Sequence, residues 1–113
     1  MNILTSIKKL LGVSETDTNF DVDIIIYINS AFATLNQIGV GPEDTFYITD
    51  TSVWSDFTTR TDLEQVKTFV YLNVKKIFDP PPTSFGIEAL ERQISEYEWR
   101  LRTKAEVEAI PIV

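Results

Sequence analysis

Between Leu63 and Arg102 the hydrophobic positions form two helical stripes separated by Asp79-Pro80-Pro81-Pro82. In the first, Leu63, Val66, Val70, Val74 and Ile77, with Phe69 beside them, recur at three- and four-residue spacing. That pattern lays one apolar stripe along about four turns of helix. Thr61 followed three residues later by Glu64 reads as a capping box at its start, and Lys75 and Lys76 take the wet side with Lys67 on the border. The helix must stop near Phe78 or Asp79, because a residue before proline is pushed out of the α region and the prolines offer no amide donors. The second stripe, Ile87, Leu90, Ile94, Tyr97 and Leu101, keeps one narrow seam in register over two heptads and predicts a long helix from Ser84 to Thr103. Glu88 to Arg92, Glu96 to Arg100 and Glu98 to Arg102 are acid-before-base pairs four apart, each worth about 0.2–0.5 kcal/mol on an exposed helix. Trp99 falls opposite the seam, where a large aromatic is covered either by a partner or by the chain's own loop.

The segments before these pack on them. Ile3, Leu4, Ile7, Leu10 and Leu11 share one face of a short helix, with Lys8 and Lys9 near its end and Gly12 just past it. Residues 14–19 read as a polar loop leading to an N-cap at Thr18 or Asn19, and Asp21 and Asp23 fall in the following first turn. From Phe20 through Ile24, Tyr27, Ile28, Ala31, Phe32, Leu35 and Ile38 the stripe runs about five turns. Ile25 and Ile26 broaden it, which predicts a helix near the middle of a bundle; the same β-branched run also reads as strand, but the sustained period and acidic first turn outweigh that. Asn29 and Asn36 on or near this stripe read as amides satisfied by neighbouring backbone rather than as a ligand site.

Gly39-Val40-Gly41-Pro42 ends that helix. The segment around Phe46, Tyr47, Trp54 and Phe57 predicts a small hairpin or an extended loop, with Asp50-Thr51-Ser52 as its turn. Its aromatics either cap one end of the bundle or meet a partner. Periodicity fades after Leu101, so residues 105–113, ending Ile110-Pro111-Ile112-Val113, read as a tail ordered on a partner. The expectation is one all-α domain over residues 1–113: about four helices, a long C-terminal one, and one irregular or hairpin loop.

Composition narrows the function. At 113 residues and 43% hydrophobic the chain supports a core, and ten basic against seventeen acidic residues give a net charge of −7, which argues against a phosphate grip. With neither cysteine nor histidine there is no thiolate chemistry and no commonest general base or metal ligand. The four glycines form no phosphate cradle, and no helix combines the exposed Arg, Lys, Asn and Gln of a recognition helix. The carboxylates left as metal or acid–base candidates are Asp21/Asp23, Glu43/Asp44, Asp50 and Asp56, without calcium-loop spacing. Neither a secretory leader nor a run of about 20 apolar residues is present, so a cytoplasmic protein without a membrane span is expected. No enzyme and no cofactor are expected; the work is done by surfaces.

Eight short segments carry a resemblance. Phe20-Asp21-Val22-Asp23-Ile24-Ile25 leads to Tyr27-Ile28-Asn29-Ser30-Ala31-Phe32 and on to Leu35-Asn36-Gln37-Ile38-Gly39-Val40-Gly41-Pro42. Trp54-Ser55-Asp56-Phe57 follows in the loop, then Val66-Lys67-Thr68-Phe69-Val70-Tyr71-Leu72 with Phe78-Asp79-Pro80-Pro81. Ala89-Leu90-Glu91-Arg92-Gln93-Ile94 and Glu98-Trp99-Arg100-Leu101 complete it. Together they resemble the head-tail connector (adaptor) proteins of tailed bacteriophages, from Ile3 to Leu101. The resemblance implies a virion neck subunit, made in the host cytoplasm, that joins a homo-oligomeric ring, a dodecamer, under the portal protein. Such a ring extends the channel for DNA, which is cargo only, and docks a neck or tail-completion protein. It implies portal-side contacts at Trp99, Arg100, Ile110, Ile112 and Val113, and contacts of Phe46, Tyr47 and Trp54 with a neighbouring subunit or the next neck protein. An acidic subunit also suits a channel through which DNA slides. The competing reading is a small acidic helical regulator of one host or phage protein; a metal-dependent enzyme is a weaker third.

Overall fold

A computed structural model describes residues 2–42, 46–57 and 63–109, with side chains through Val107. Among these residues it contains four helices, α1 (Ile3–Leu11), α2 (Asp21–Gln37), α3 (Leu63–Phe78) and α4 (Ser84–Ala109), and a 3-10 turn at Trp54–Asp56. Among the described residues no strand forms, and the only β-type pairing is an isolated bridge between Asn2 and Val53. The protein is a small all-α bundle, and its aromatic segment is an irregular loop rather than a hairpin.

Helix α3 is the hub: it packs against α1, α2 and α4, while α2 and α4 share no substantial contact. The sequence pattern placed α2 near the middle, and the burial pattern shows why α3 holds that position. Val66, Val70 and Val74 are buried, but so is Leu72, which projects from nearly the opposite side of the helix to Val74. On α2, by contrast, Val22 and Ile26 remain 72% and 54% exposed. The result is a slab of 51 × 35 × 19 Å with a radius of gyration of 14.5 Å. A compact chain of this length has about 13 Å.

Helix α1 starts at Asn2, whose Oδ1 accepts from the Thr5 amide at 2.9 Å while its Nδ2 donates to the Asp50 carbonyl at 2.7 Å. One side chain thus caps the helix and ties it to the loop. Helix α2 begins one residue later than the predicted cap: Phe20 occupies the N-cap without a side-chain bond. At its other end Gly39 takes the left-handed conformation, and the Val40 amide donates to the Leu35 carbonyl at 2.9 Å.

The loop folds back over α2. Phe32 is the centre of an aromatic cluster, with ring centroids 5.0 Å from Phe46, 4.8 Å from Phe57 and 6.2 Å from Trp54. Asn29 holds the loop backbone by both ends of its amide, accepting from the Ile48 N–H at 2.6 Å and donating to the Ile48 carbonyl at 3.5 Å. Asn36 likewise donates to the Pro42 carbonyl at 3.3 Å. The amides are therefore satisfied by neighbouring backbone.

Helix α3 ends where the prolines require, and its last turn donates from the Asp79 amide to the Lys75 carbonyl at 2.9 Å. The elbow is all-trans, and Thr83 caps α4 by accepting from the Gly86 amide at 3.0 Å. The α4 seam is as the spacing predicted: Leu90 and Leu101 are buried, and Ile87, Ile94 and Tyr97 half-buried. Helix α4 runs to Ala109 rather than yielding to a tail at residue 105. A Cβ at Gly39 would lie 3.8 Å from that of Ala105, so the extra turns pass the end of α2. Four apolar residues of the predicted stripes are exposed: Leu10 at 53%, Phe20 at 44%, Ile26 at 54% and Ile77 at 52%. Thr61, and with it the capping box, lies outside the described residues, as do Glu43, Asp44, Ile110, Ile112 and Val113. Glu64 pairs with Lys67 at 3.3 Å.

Candidate interaction surfaces

The outer face of α4 is set by its heptad geometry. With Leu90, Ile94, Tyr97 and Leu101 turned to α3, the residues at Phe85, Arg92 and Trp99, seven apart, fall on the opposite side. Phe85 is 75% and Trp99 65% exposed, so neither ring is covered by the described part of the loop. Between them lies an open depression of about 440 Å³ lined by Glu88, Glu91, Arg92 and Ser95. Glu91 pairs across to Lys76 of α3 at 3.4 Å. Among the described residues Arg92 forms no ion pair, and the predicted Glu88–Arg92 pair does not close, whereas Glu96–Arg100 and Glu98–Arg102 do.

The predicted contact residues divide sharply. Trp99 stands on this outer stripe; Arg100 is half-exposed, bound to Glu96 and 5.5 Å from the Tyr97 ring. Tyr47 is 68% exposed at the loop surface. Phe46 is half-buried against Phe32 and Phe57. Trp54 is only 3% exposed, which corrects its assignment to a contact surface: its indole N–H donates to the Ser6 hydroxyl at 3.1 Å, and Ser6 in turn donates to the Asn2 carbonyl at 2.8 Å. The Lys67 ammonium covers the ring from α3 at 5.6 Å. Of the aromatic loop, Tyr47 alone among the three named residues is well exposed.

A second face was not singled out from the sequence. Along α2, Val22, Asp23, Ile26, Ser30 and Gln37 remain exposed on the side away from Ile24, Ile28, Ala31 and Leu35. Between Lys9 and Arg60 the sequence carries eight carboxylates and no lysine or arginine, so the charge of −7 is concentrated in this segment, and Asp23 is its carboxylate on the exposed side of α2. The signal was present in the spacing, but the width of the apolar stripe hid which of its edges faces water.

Among the described residues no group of three acidic side chains is placed to hold a metal ion, and no described helix is long and apolar enough to cross a membrane. What the surface offers is apolar and charged relief without a reactive constellation. A family model described as phage connector protein matches residues 3–108, the whole of the four-helix arrangement. The chain belongs to the phage connector protein family. Searches of curated proteins and of solved structures gave no significant match. As a phage connector it belongs to a family of structural proteins of the virion.

Proposed function

We propose that this phage connector is a head-tail adaptor subunit: copies of it form a ring under the portal protein, extend the DNA channel and present a platform to the next neck or tail protein. The observation that carries the reading is the family match across residues 3–108. It is supported by large hydrophobic side chains left in water on several faces of a chain this small, among them Val22, Tyr47, Phe85, Trp99 and Val107. A ring subunit needs lateral and axial contacts at once, and such faces supply both. The C-terminal turns of α4, with Arg100 and Val107 and the following Ile110, Ile112 and Val113, are the portal-side element. Tyr47 on the loop meets the next neck protein. DNA passes as cargo along an acidic wall that does not hold it.

Native mass spectrometry of the chain mixed with portal assemblies from the same source tests this. Many copies on one portal are expected. A single copy bound to some other protein, with the portal left bare, favours the acidic regulator instead.

A further inference from the structure

We propose that the outer flank of α4, the stripe Phe85–Arg92–Trp99, seats on the outer flank of α2, around Val22, Asp23 and Ile26, of a second copy of this chain. The contact rests on the ring reading above and specifies which two faces meet in it.

Three observations carry it. First, α2 and α4 both pack on α3 and share no substantial contact with each other, so each keeps an exposed outer flank that the other does not cover. Two different patches that meet between copies make a head-to-tail contact, which repeats around a ring when the rotation closes. Second, each flank carries side chains the chain's own core leaves uncovered: Val22 and Ile26 on one, Phe85 and Trp99 on the other. Phe85 and Trp99 are fourteen residues apart, about 21 Å along the helix, and the depression lined by Arg92 and Ser95 lies between them. Val22 and Ile26, one turn apart, form an apolar ridge that packs against Phe85 or Trp99 at the ends of this polar depression. Third, one residue on each flank, Asp23 and Arg92, carries opposite charge. The α2 flank carries Asp23 in a stretch without a single base, whereas Arg92 is exposed and forms no ion pair among the described residues. Glu91 beside it is already matched by Lys76.

The size of the contact explains how it is used. Helix α2 has 17 residues. At 1.5 Å each and about 10 Å across, its flank projects roughly 260 Å². A stable pair buries about 800 Å² per partner. One such contact does not hold a dimer in dilute solution, and closure of the whole ring, or a portal template, is needed.

The chain has no cysteine, so engineered pairs report cleanly. Ile26→Cys and Ser95→Cys, both at exposed positions, are combined in one full-length chain, assembled with portal and oxidised. A ladder of covalent multimers on a non-reducing gel is expected, with no cross-link from either single variant. Rings visible by microscopy without a ladder overturn this contact and leave the ring reading standing; dimers from a single variant overturn it in favour of a two-fold contact between like flanks. If the wild-type chain forms no ring, the ring reading falls and the contact with it. Charge reversal is the second measurement: Asp23→Arg lowers the assembled fraction by roughly tenfold, and Arg92→Asp in the same chain restores it. Equal loss in the single and double variants overturns the pairing.

Discussion

The Lys8 ammonium lies 2.8 Å from Asp21 Oδ1, with only 3% of the lysine side chain exposed. It also donates to the backbone carbonyls of Asp17 at 2.7 Å and Glu15 at 3.2 Å. Asp21 Oδ1 is buried and receives no hydrogen bond, so its contact with Lys8 is a charge pair whose angles miss hydrogen-bond alignment. A single side chain from α1 thereby organises the loop over residues 14–19 and the first turn of α2. Lys8→Met leaves a carboxylate and two carbonyls without their cation and is expected to cost about 2–3 kcal/mol. Asp21→Asn, which keeps the ammonium's two carbonyl partners, is expected to cost about 1 kcal/mol. Urea unfolding of both variants checks the order; a Lys8→Met midpoint equal to that of the wild-type chain would show that the lysine acts through its alkyl stem alone.

The two tryptophans should separate folding from assembly. Trp54→Ala removes a buried ring and its hydrogen bond to Ser6, with an expected loss of about 3–5 kcal/mol. Trp99→Ala touches an exposed ring and should change stability by no more than about 0.5 kcal/mol, with helical content intact, while assembly weakens. Circular dichroism melts together with sedimentation of portal mixtures read both effects. Unfolding by Trp99→Ala would make that residue part of the core.

Gly41 and Gly12 both have positive φ, at 91° and 80°, but only one is crowded. A Cβ at Gly41 would meet the Phe57 ring at 2.2 Å, whereas one at Gly12 meets nothing within 4 Å. Gly12→Ala therefore bears the backbone strain alone, about 1 kcal/mol, and Gly41→Ala adds displacement of Phe57 from the aromatic cluster, about 1–3 kcal/mol more. Thermal midpoints of the two variants test the difference.

Asn29→Ala removes the grip on both backbone groups of Ile48, at an expected cost of about 1–2 kcal/mol. Its signature is local: hydrogen exchange at the Ile48 amide accelerates more than at α3 core amides such as Val70. Uniform acceleration would mean that the loop and the bundle open together.

What was legible in the sequence follows from the range of the forces involved. The α4 seam, the proline elbow and the cap at Gly39 depend on neighbours within a few residues, and each stands as the spacing predicted. Trp54 does not: its burial depends on Ser6, 48 residues away, so its aromatic, loop-borne character read as surface. Lys8 read as a helix-end charge, and its burial needs a loop to wrap it. The centrality of α3 was hidden because Leu72 lies off its main stripe. On the interaction faces, Trp99 was found because a tryptophan among charges is conspicuous. Val22 and Ile26 were missed because apolar residues beside a core stripe look like more core.

The most direct test of the account is electron microscopy of the purified chain, alone and with portal assemblies from the same source. Added density of many copies in a ring on the portal's tail-facing end is predicted, with the outer flank of α4 against α2 of the next copy. A portal left bare, with the chain monomeric under both conditions, would contradict it.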